Sequence, residues 1–299
     1  MIPCMRLRFA LVSLLVSSSW LMGDNLLYDV TGEAVNSFGL LDANTGAYTQ
    51  INTLGLGGFP SAGLAQSGGL YTATYLGGQF AQIDPTTGDV TDIGSSAGLG
   101  TSGPEDNIYY GLGSTTDDSV YAVVLVGEAS ADPWLYQINT STGAGTAIGE
   151  LTLGGTQLNT ATTFLTLSNG GSVLYLVYDD GTNSGLYTVN VSTGAITAVG
   201  SGIADTTAGD FGGLAFLGGT LFGGSDTPSN SIYTIDPSTG AFTSLSSISG
   251  GAYGEGDSTF GLAPDVPEPA TLPLTITGLA AALWIRRRSR AGAPLSVGR

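Results

Sequence analysis

Any chemistry in this chain would have to be carried by carboxylates. Of its 24 Asp and Glu residues, all but Glu268 lie between Asp24 and Asp265, a stretch with no Lys, Arg or His. The seven basic residues sit at the ends: Arg6, Arg8, Arg286, Arg287, Arg288, Arg290 and Arg299. Carboxylates without cations can do two things. They can hold a hard cation such as Ca²⁺, which takes several carboxylate and carbonyl oxygens, and the best local clusters are Asp179-Asp180-Gly-Thr-Asn183 and Glu105-Asp106-Asn107. They can also flank a glycosidic bond as an acid and base pair, although no pair is marked out here. The competing reading is a solvated acidic surface that keeps the protein soluble. Trp134, the sole Trp between the terminal segments, could stack on a sugar ring or simply pack in the core.

The same composition excludes other classes. Ser-His-Asp and Cys-His catalysis lack a histidine, and a zinc site lacks both His and Cys in the mature domain, since the only cysteine, Cys4, precedes the first apolar run. A run of acids without a cation repels nucleic acid and gives anionic substrates no side-chain clamp. Gly250-Gly-Ala-Tyr-Gly254 follows no strand-to-helix pattern and is not a phosphate loop. With no second cysteine, the domain needs a true hydrophobic core in place of disulfides.

The elements that position these acids follow from a repeat. Five segments carry an apolar strand, an Asp or Asn, and a turn ending in Thr-Gly: Phe38–Gly46, Phe80–Gly88, Leu135–Gly143, Leu186–Gly194 and Ile232–Gly240. Their glycines are 42, 55, 51 and 46 residues apart, a period that belongs to blades rather than to solenoid coils. Asp or Asn bonds forward to the turn backbone and Gly accepts a left-handed conformation. Asp42, Asp84 and Asp236 therefore read as hairpin residues, not catalytic ones. Two more strands precede each hairpin, such as Gly63–Ala65 and Gly69–Ala73, giving strands a, b, c and d. The first unit lacks strand a, and a stray Phe260-Gly-Leu-Ala263 follows the fifth. The expectation is an all-β, five-bladed β-propeller of four-stranded blades, its first blade closed by the C-terminal strand. The Leu-Tyr-x-Ile-Asp-x-x-Thr-Gly unit resembles repeats of bacterial secreted propeller-like proteins.

Strand order then assigns loops to faces. The b–c loops and d–a connections share one face. They carry Glu33, Glu105, Asp106, Glu128, Asp132, Glu150, Asp179, Asp180, Asp205, Asp210, Asp226, Glu255 and Asp257. The Thr-Gly turns and a–b loops share the other. Loops carry function more often than scaffold, so the acidic face is the expected site.

The ends carry addresses. Residues 1–23 read as a signal peptide, with Arg6 and Arg8 ahead of the apolar run Phe9–Val16; an uncleaved anchor is the alternative. Residues 24–265 form the repeat domain. In residues 266–290, Val266-Pro267-Glu268-Pro269 leads into Leu272–Ile285 and then Arg286, Arg287, Arg288 and Arg290. As a helix the apolar run would be about 21 Å long, short of a ~30 Å hydrocarbon core. The arginines would hold its C-terminus in the cytoplasm, with residues 291–299 as a cytoplasmic tail. Short hydrophobic helices are thus expected at both ends. Motif, apolar run and basic cluster, in that order, resemble the PEP-CTERM sorting signal. That resemblance implies processing by an exosortase at Pro267, Glu268 and Pro269, export, transient anchoring in the inner membrane, and release to the cell surface or an exopolysaccharide layer. The reading is a non-catalytic propeller that binds carbohydrate or a partner and no nucleic acid. The alternatives are a carboxylate-dependent glycoside hydrolase and a structural matrix protein bridged by Ca²⁺.

Overall fold

A chain that alternates Leu, Tyr and Ile between Thr-Gly turns can bury those side chains only by pairing strands and stacking the sheets. The computed structural model describes residues 25–31, 36–57, 61–74, 79–95, 107–126, 132–158, 165–179, 183–204, 211–225, 230–250 and 259–265. The expected terminal helices, the signal peptide and the sorting segment lie outside these. Among the described residues no helix is long and apolar enough to cross a membrane.

The regular elements are strands, arranged in meanders. Unit one is β1 (Leu26–Thr31), β2 (Ser37–Asp42) and β3 (Tyr48–Thr53); unit two is β4 (Ser61–Gln66), β5 (Leu70–Thr74), β6 (Gln79–Ile83) and β7 (Val90–Ser95). Unit three is β8 (Asn107–Ser114), β9 (Val120–Val126), β10 (Asp132–Ile138) and β11 (Gly145–Glu150), followed by a hairpin of β12 (Thr152–Leu153) and β13 (Thr156–Gln157). Unit four is β14 (Leu165–Asn169), β15 (Tyr175–Asp179), β16 (Asn183–Val189) and β17 (Ala195–Ala204). Unit five is β18 (Phe211–Leu217), β19 (Thr220–Ser225), β20 (Ser231–Ile235) and β21 (Phe242–Ser247), and β22 (Thr259–Pro264) ends the series. Strands within a unit pair antiparallel in sequence order. The stray strand finds its place: β22 pairs antiparallel with β1, Leu27 opposite Pro264 and Asp29 opposite Leu262. The β12–β13 hairpin, which the sequence reading did not foresee, pairs in parallel with β17 and covers that outer edge.

The apolar clusters explain why no unit stands alone, because each lies between two successive units. Phe38, Leu64 and Ile83 join units one and two, and Phe80, Leu112 and Val124 join two and three. Leu135, Leu167 and Leu176 join three and four, and Val177, Leu214 and Ile235 join four and five. Leu27, Phe222 and Leu262 join five back to one. Middle strands such as β5 are consequently buried on both faces, whereas outer strands such as β21 are half-exposed.

The a-strands approach one another through glycine. A Cβ on Gly213 would stand 2.5 Å from the Leu262 amide nitrogen, one on Gly261 2.5 Å from that of Leu64, and one on Gly63 2.9 Å from that of Leu112. One on Gly111 would lie 3.1 Å from the Leu165 carbonyl oxygen. In unit four Thr166 holds this position, and its hydroxyl donates to the Gly212 carbonyl at 3.3 Å. Thus β4 packs on β8, β8 on β14, β14 on β18, β18 on β22 and β22 on β4.

Asn169 ties this hub together. It is 1% exposed, and its Nδ2 donates to the carbonyls of Leu64 (2.7 Å) and Leu262 (2.6 Å). Its Oδ1 accepts from the Ser114 hydroxyl (3.0 Å) and the Gln66 amide (3.3 Å). The orientation of the amide is fixed by its partners, because a carbonyl can only accept and a backbone N–H can only donate.

The Thr-Gly turns are built as the spacing predicts. Asp42, Asp84, Asn139, Asn190 and Asp236 each accept, through Oδ1, the amide two residues on at 2.8–2.9 Å. Their own carbonyls take the amide of the turn glycine, whose φ is between 69° and 78°. Each turn also rests on the outer strand of the preceding unit: Asn52 Nδ2 donates to the Thr87 carbonyl at 2.9 Å, and Ser249 N to the Gly46 carbonyl at 2.9 Å. A side chain on Gly88 would meet the Asn52 Cβ at 2.5 Å. At Asp236 the Ser238 hydroxyl adds a 2.6 Å bond, and it leads the donors that hold this carboxyl down to about 2. A depressed folded pKa means the contribution is present above the unfolded value and lost as pH falls towards 2. Ser238→Ala should raise the Asp236 carboxyl towards the ordinary range in an NMR titration. An unmoved titration would assign the depression to the backbone amides instead.

Candidate functional site

The face formed by the b–c and d–a connections is where repeat lengths diverge, and the described residues show how the scaffold prepares it. At the ends of the b-strands of units one, two and five, a hydroxyl closes the loop from below. Thr31 Oγ1 accepts the Ser37 amide at 3.2 Å, Thr74 Oγ1 the Gln79 amide at 2.9 Å, and Ser225 Oγ the Ser231 amide at 3.0 Å. In unit two Ser61 Oγ and Thr72 Oγ1 lie 2.8 Å apart, and both bond the Gly63 carbonyl. Thr259, fully buried, stands opposite Thr31 across the β22–β1 pair. A polar group buried here is stable only when hydrogen-bonded, so each hydroxyl fixes where its loop leaves the sheet. Sequence reasoning passed over these residues. The available signal was a Thr or Ser at the end of the b-strand, in Leu26–Thr31, Leu70–Thr74 and Thr220–Ser225.

The expected acids divide unevenly. Asp132, Glu150 and Asp179 are described. Glu33, Glu105, Asp106, Glu128, Asp180, Asp205, Asp210, Asp226, Glu255 and Asp257 lie outside the described residues. Asp179 is 2% exposed and accepts a 2.6 Å bond from the Ser184 hydroxyl, the loop-closing role that Thr and Ser play in other units. Asn183 begins β16 immediately before that serine. Asp29, a carboxylate that the sequence left without a role, is fully buried in β1. Among the described residues no three carboxylates gather closely enough to hold a metal ion.

Trp134 is half-buried on β10, opposite Val124 and Glu150 at the loop end of unit three. Its ring packs on the cluster of Phe80, Val124 and Tyr136. Most of the side chain is thus core. Val266, Pro267, Glu268 and Pro269, and the arginines at 286, 287, 288 and 290, lie outside the described residues.

The opposite face is shaped by turns that bond to one another. Ser67 donates its hydroxyl to the Asp118 carbonyl, and Thr116 N bonds the Gly171 carbonyl at 3.1 Å. Asp117 is held below the ordinary carboxylate range, first by the Thr115 hydroxyl and then by the Ser119 amide.

Strand meanders joined by shared inter-unit cores define a propeller-like, all-β repeat protein. The chain belongs to the family described as "Repeat of unknown function (DUF6923)", which matches residues 99–263, more than half of its length. No curated protein matches it. Solved structures that resemble it include a protein of unknown function from Bacteroides caccae, at 11% identity, 73% of this chain, 72% of that one and a TM-score of 0.44. Another is a chain of a nidogen/laminin complex, at 10% identity, 81% of this chain, 98% of that one and a TM-score of 0.47. A third is a Bacteroides thetaiotaomicron protein of unknown function, at 15% identity, 74% of this chain, 55% of that one and a TM-score of 0.49. Likenesses this distant speak to no ligand or activity.

Proposed function

We propose that this chain is an exported, non-catalytic surface or matrix protein whose domain is a closed five-bladed propeller. It binds extracellular carbohydrate, or a partner within that layer, through its acidic loop face. The five-blade reading is supported by the contacts that run from each unit to the next and from the fifth to the first, in the apolar clusters, the a-strand glycines and the Thr-Gly turns alike. The binding reading rests chiefly on one observation: buried hydroxyls hold the b–c loop roots of three units in place, while the d–a connections on the same face differ in length from unit to unit. A fixed scaffold beneath variable loops is the arrangement of a recognition surface. Export, exosortase processing and an exopolysaccharide destination come from the terminal segments. Calcium, if it binds, would sit among the loop carboxylates.

The test is sedimentation of the purified chain with bacterial exopolysaccharide, with and without millimolar Ca²⁺, alongside an assay for released reducing ends. Saturable binding without turnover is expected, weakened by Trp134→Ala and accompanied by a rise in Tm if Ca²⁺ occupies the loops. Turnover abolished by one acid-to-amide change would replace this reading with a glycoside hydrolase. Absence of binding in either condition, with Ca²⁺-dependent self-association, would replace it with a bridged matrix protein.

A further inference from the structure

The closure of unit one determines where the chain enters and leaves the domain. In units two to five, strands a and b are joined by a turn on the Thr-Gly face. In unit one that turn is missing, because strand a is β22 and strand b is β1, and the two chain ends stand in its place. Leu27 is opposite Pro264, and the Asp265 amide donates to the Leu26 carbonyl at 3.1 Å. The Tyr28 hydroxyl bonds the Asp265 carboxylate, and burial in the first place, with that bond in the second, pushes the phenol well above its ordinary range. On the other side, the Asn25 carbonyl accepts the Ala43 amide at 2.8 Å and Asn25 Nδ2 donates to Asn44 Oδ1 at 3.1 Å, inside the first Thr-Gly turn. Both ends are thereby fastened to the sheet at the same face, up to the last described residue.

We propose that, while it is anchored, this protein holds its Thr-Gly turn face towards the lipid and its acidic loop face directed away, because both ends of the domain leave through the former. This rests on the reading of a terminal apolar segment as an anchor. It does not depend on which terminus anchors, since either tether emerges at the same place. Asp265 is tied to the sheet and the apolar run begins at Leu272, so the C-terminal tether has seven Cα steps and reaches about 25 Å fully extended. A strand such as Val120–Val126 already spans about 20 Å between the faces, before any loop or the sideways path around the domain is added. A tether of that length cannot pass around the domain and still let the loop face touch the bilayer. Ligands in the external layer therefore meet the loops, and an enzyme acting at Pro267–Pro269 must approach along the turn face.

The test uses the full chain in a Cys4→Ser background, with a single fluorophore at Thr116→Cys on the turn face or Gly55→Cys in the β3–β4 connection on the loop face, where an added Cβ has nothing within 4 Å. Both positions are exposed. The chain is reconstituted into phosphatidylethanolamine/phosphatidylglycerol vesicles containing a headgroup-nitroxide lipid, and quenching is read on the sedimented fraction. Severalfold stronger quenching at Thr116→Cys is expected. Equal quenching, or stronger quenching at Gly55→Cys, in a chain that sediments would overturn the orientation alone. Failure to sediment with vesicles would overturn the anchoring reading and the orientation with it.

Discussion

Gly261→Val should cost at least about 3 kcal/mol of stability, and in a domain of ordinary stability it should abolish folding. The Cβ would stand 2.5 Å from the Leu64 amide nitrogen and 2.7 Å from the Gly63 carbonyl carbon. These are backbone atoms of a neighbouring a-strand, so no rotamer change relieves the contact. Strand β22 cannot retreat either, because it pairs with β1 along its length and packs on β18 behind. The measurement is the urea midpoint, with the soluble yield as a second readout should the variant not fold. Gly55→Ala is the control: it has nothing within 4 Å and should change stability by less than about 0.5 kcal/mol. A midpoint for Gly261→Val near that of the control would mean that the ring of a-strands is looser than these distances require.

Asn169→Ala should cost about 2–4 kcal/mol, the combined effect of a lost side chain and of polar groups stripped of partners where water does not reach. Asn169→Asp is the sharper experiment. Its carboxylate would face the Leu64 and Leu262 carbonyl oxygens where the amide nitrogen now donates, so acceptor would meet acceptor. Protonation restores one donor, so the folded-state pKa of the new acid should exceed its unfolded value. Between those two values the folded state binds more protons than the unfolded one, and stability falls as pH rises. The variant should therefore be more stable at pH 4 than at pH 7 relative to the parent at each pH, in parallel urea titrations. A difference between variant and parent that does not change with pH would show that position 169 is reached by solvent or that its neighbours rearrange.

Much of this architecture was legible because it is local. The Asp or Asn followed four residues later by Gly dictates its own turn through bonds that span at most a few residues, and all five such turns form as the chemistry requires. The surplus Phe260–Ala263 strand was legible by subtraction, since unit one lacked its partner. The β12–β13 hairpin was not, because two-residue strands carry no periodicity and exist only where β17 offers an edge. Asn169 was equally silent. One Asn in an apolar strand looks like an interruption until strands from distant parts of the chain converge on it.

The same division separates what the sequence by itself determined about this protein from what only the tertiary structure decided. Composition excluded histidine and lysine chemistry and left Cys4 as the one cysteine, the Thr-Gly spacing set the number of hairpins, and the terminal apolar and basic runs set the expected addresses. These follow from residue identity and short-range bonding alone. Tertiary structure decided that Asp179 closes a loop with Ser184, that Trp134 is largely core, and that β22 returns to β1 so that both ends leave by one face. Asp179 meets Ser184 only because the β15–β16 hairpin closes, and Trp134 joins the core only because units two and three pack together. Strand β22 pairs with β1 across more than two hundred residues, a contact with no local signature to read.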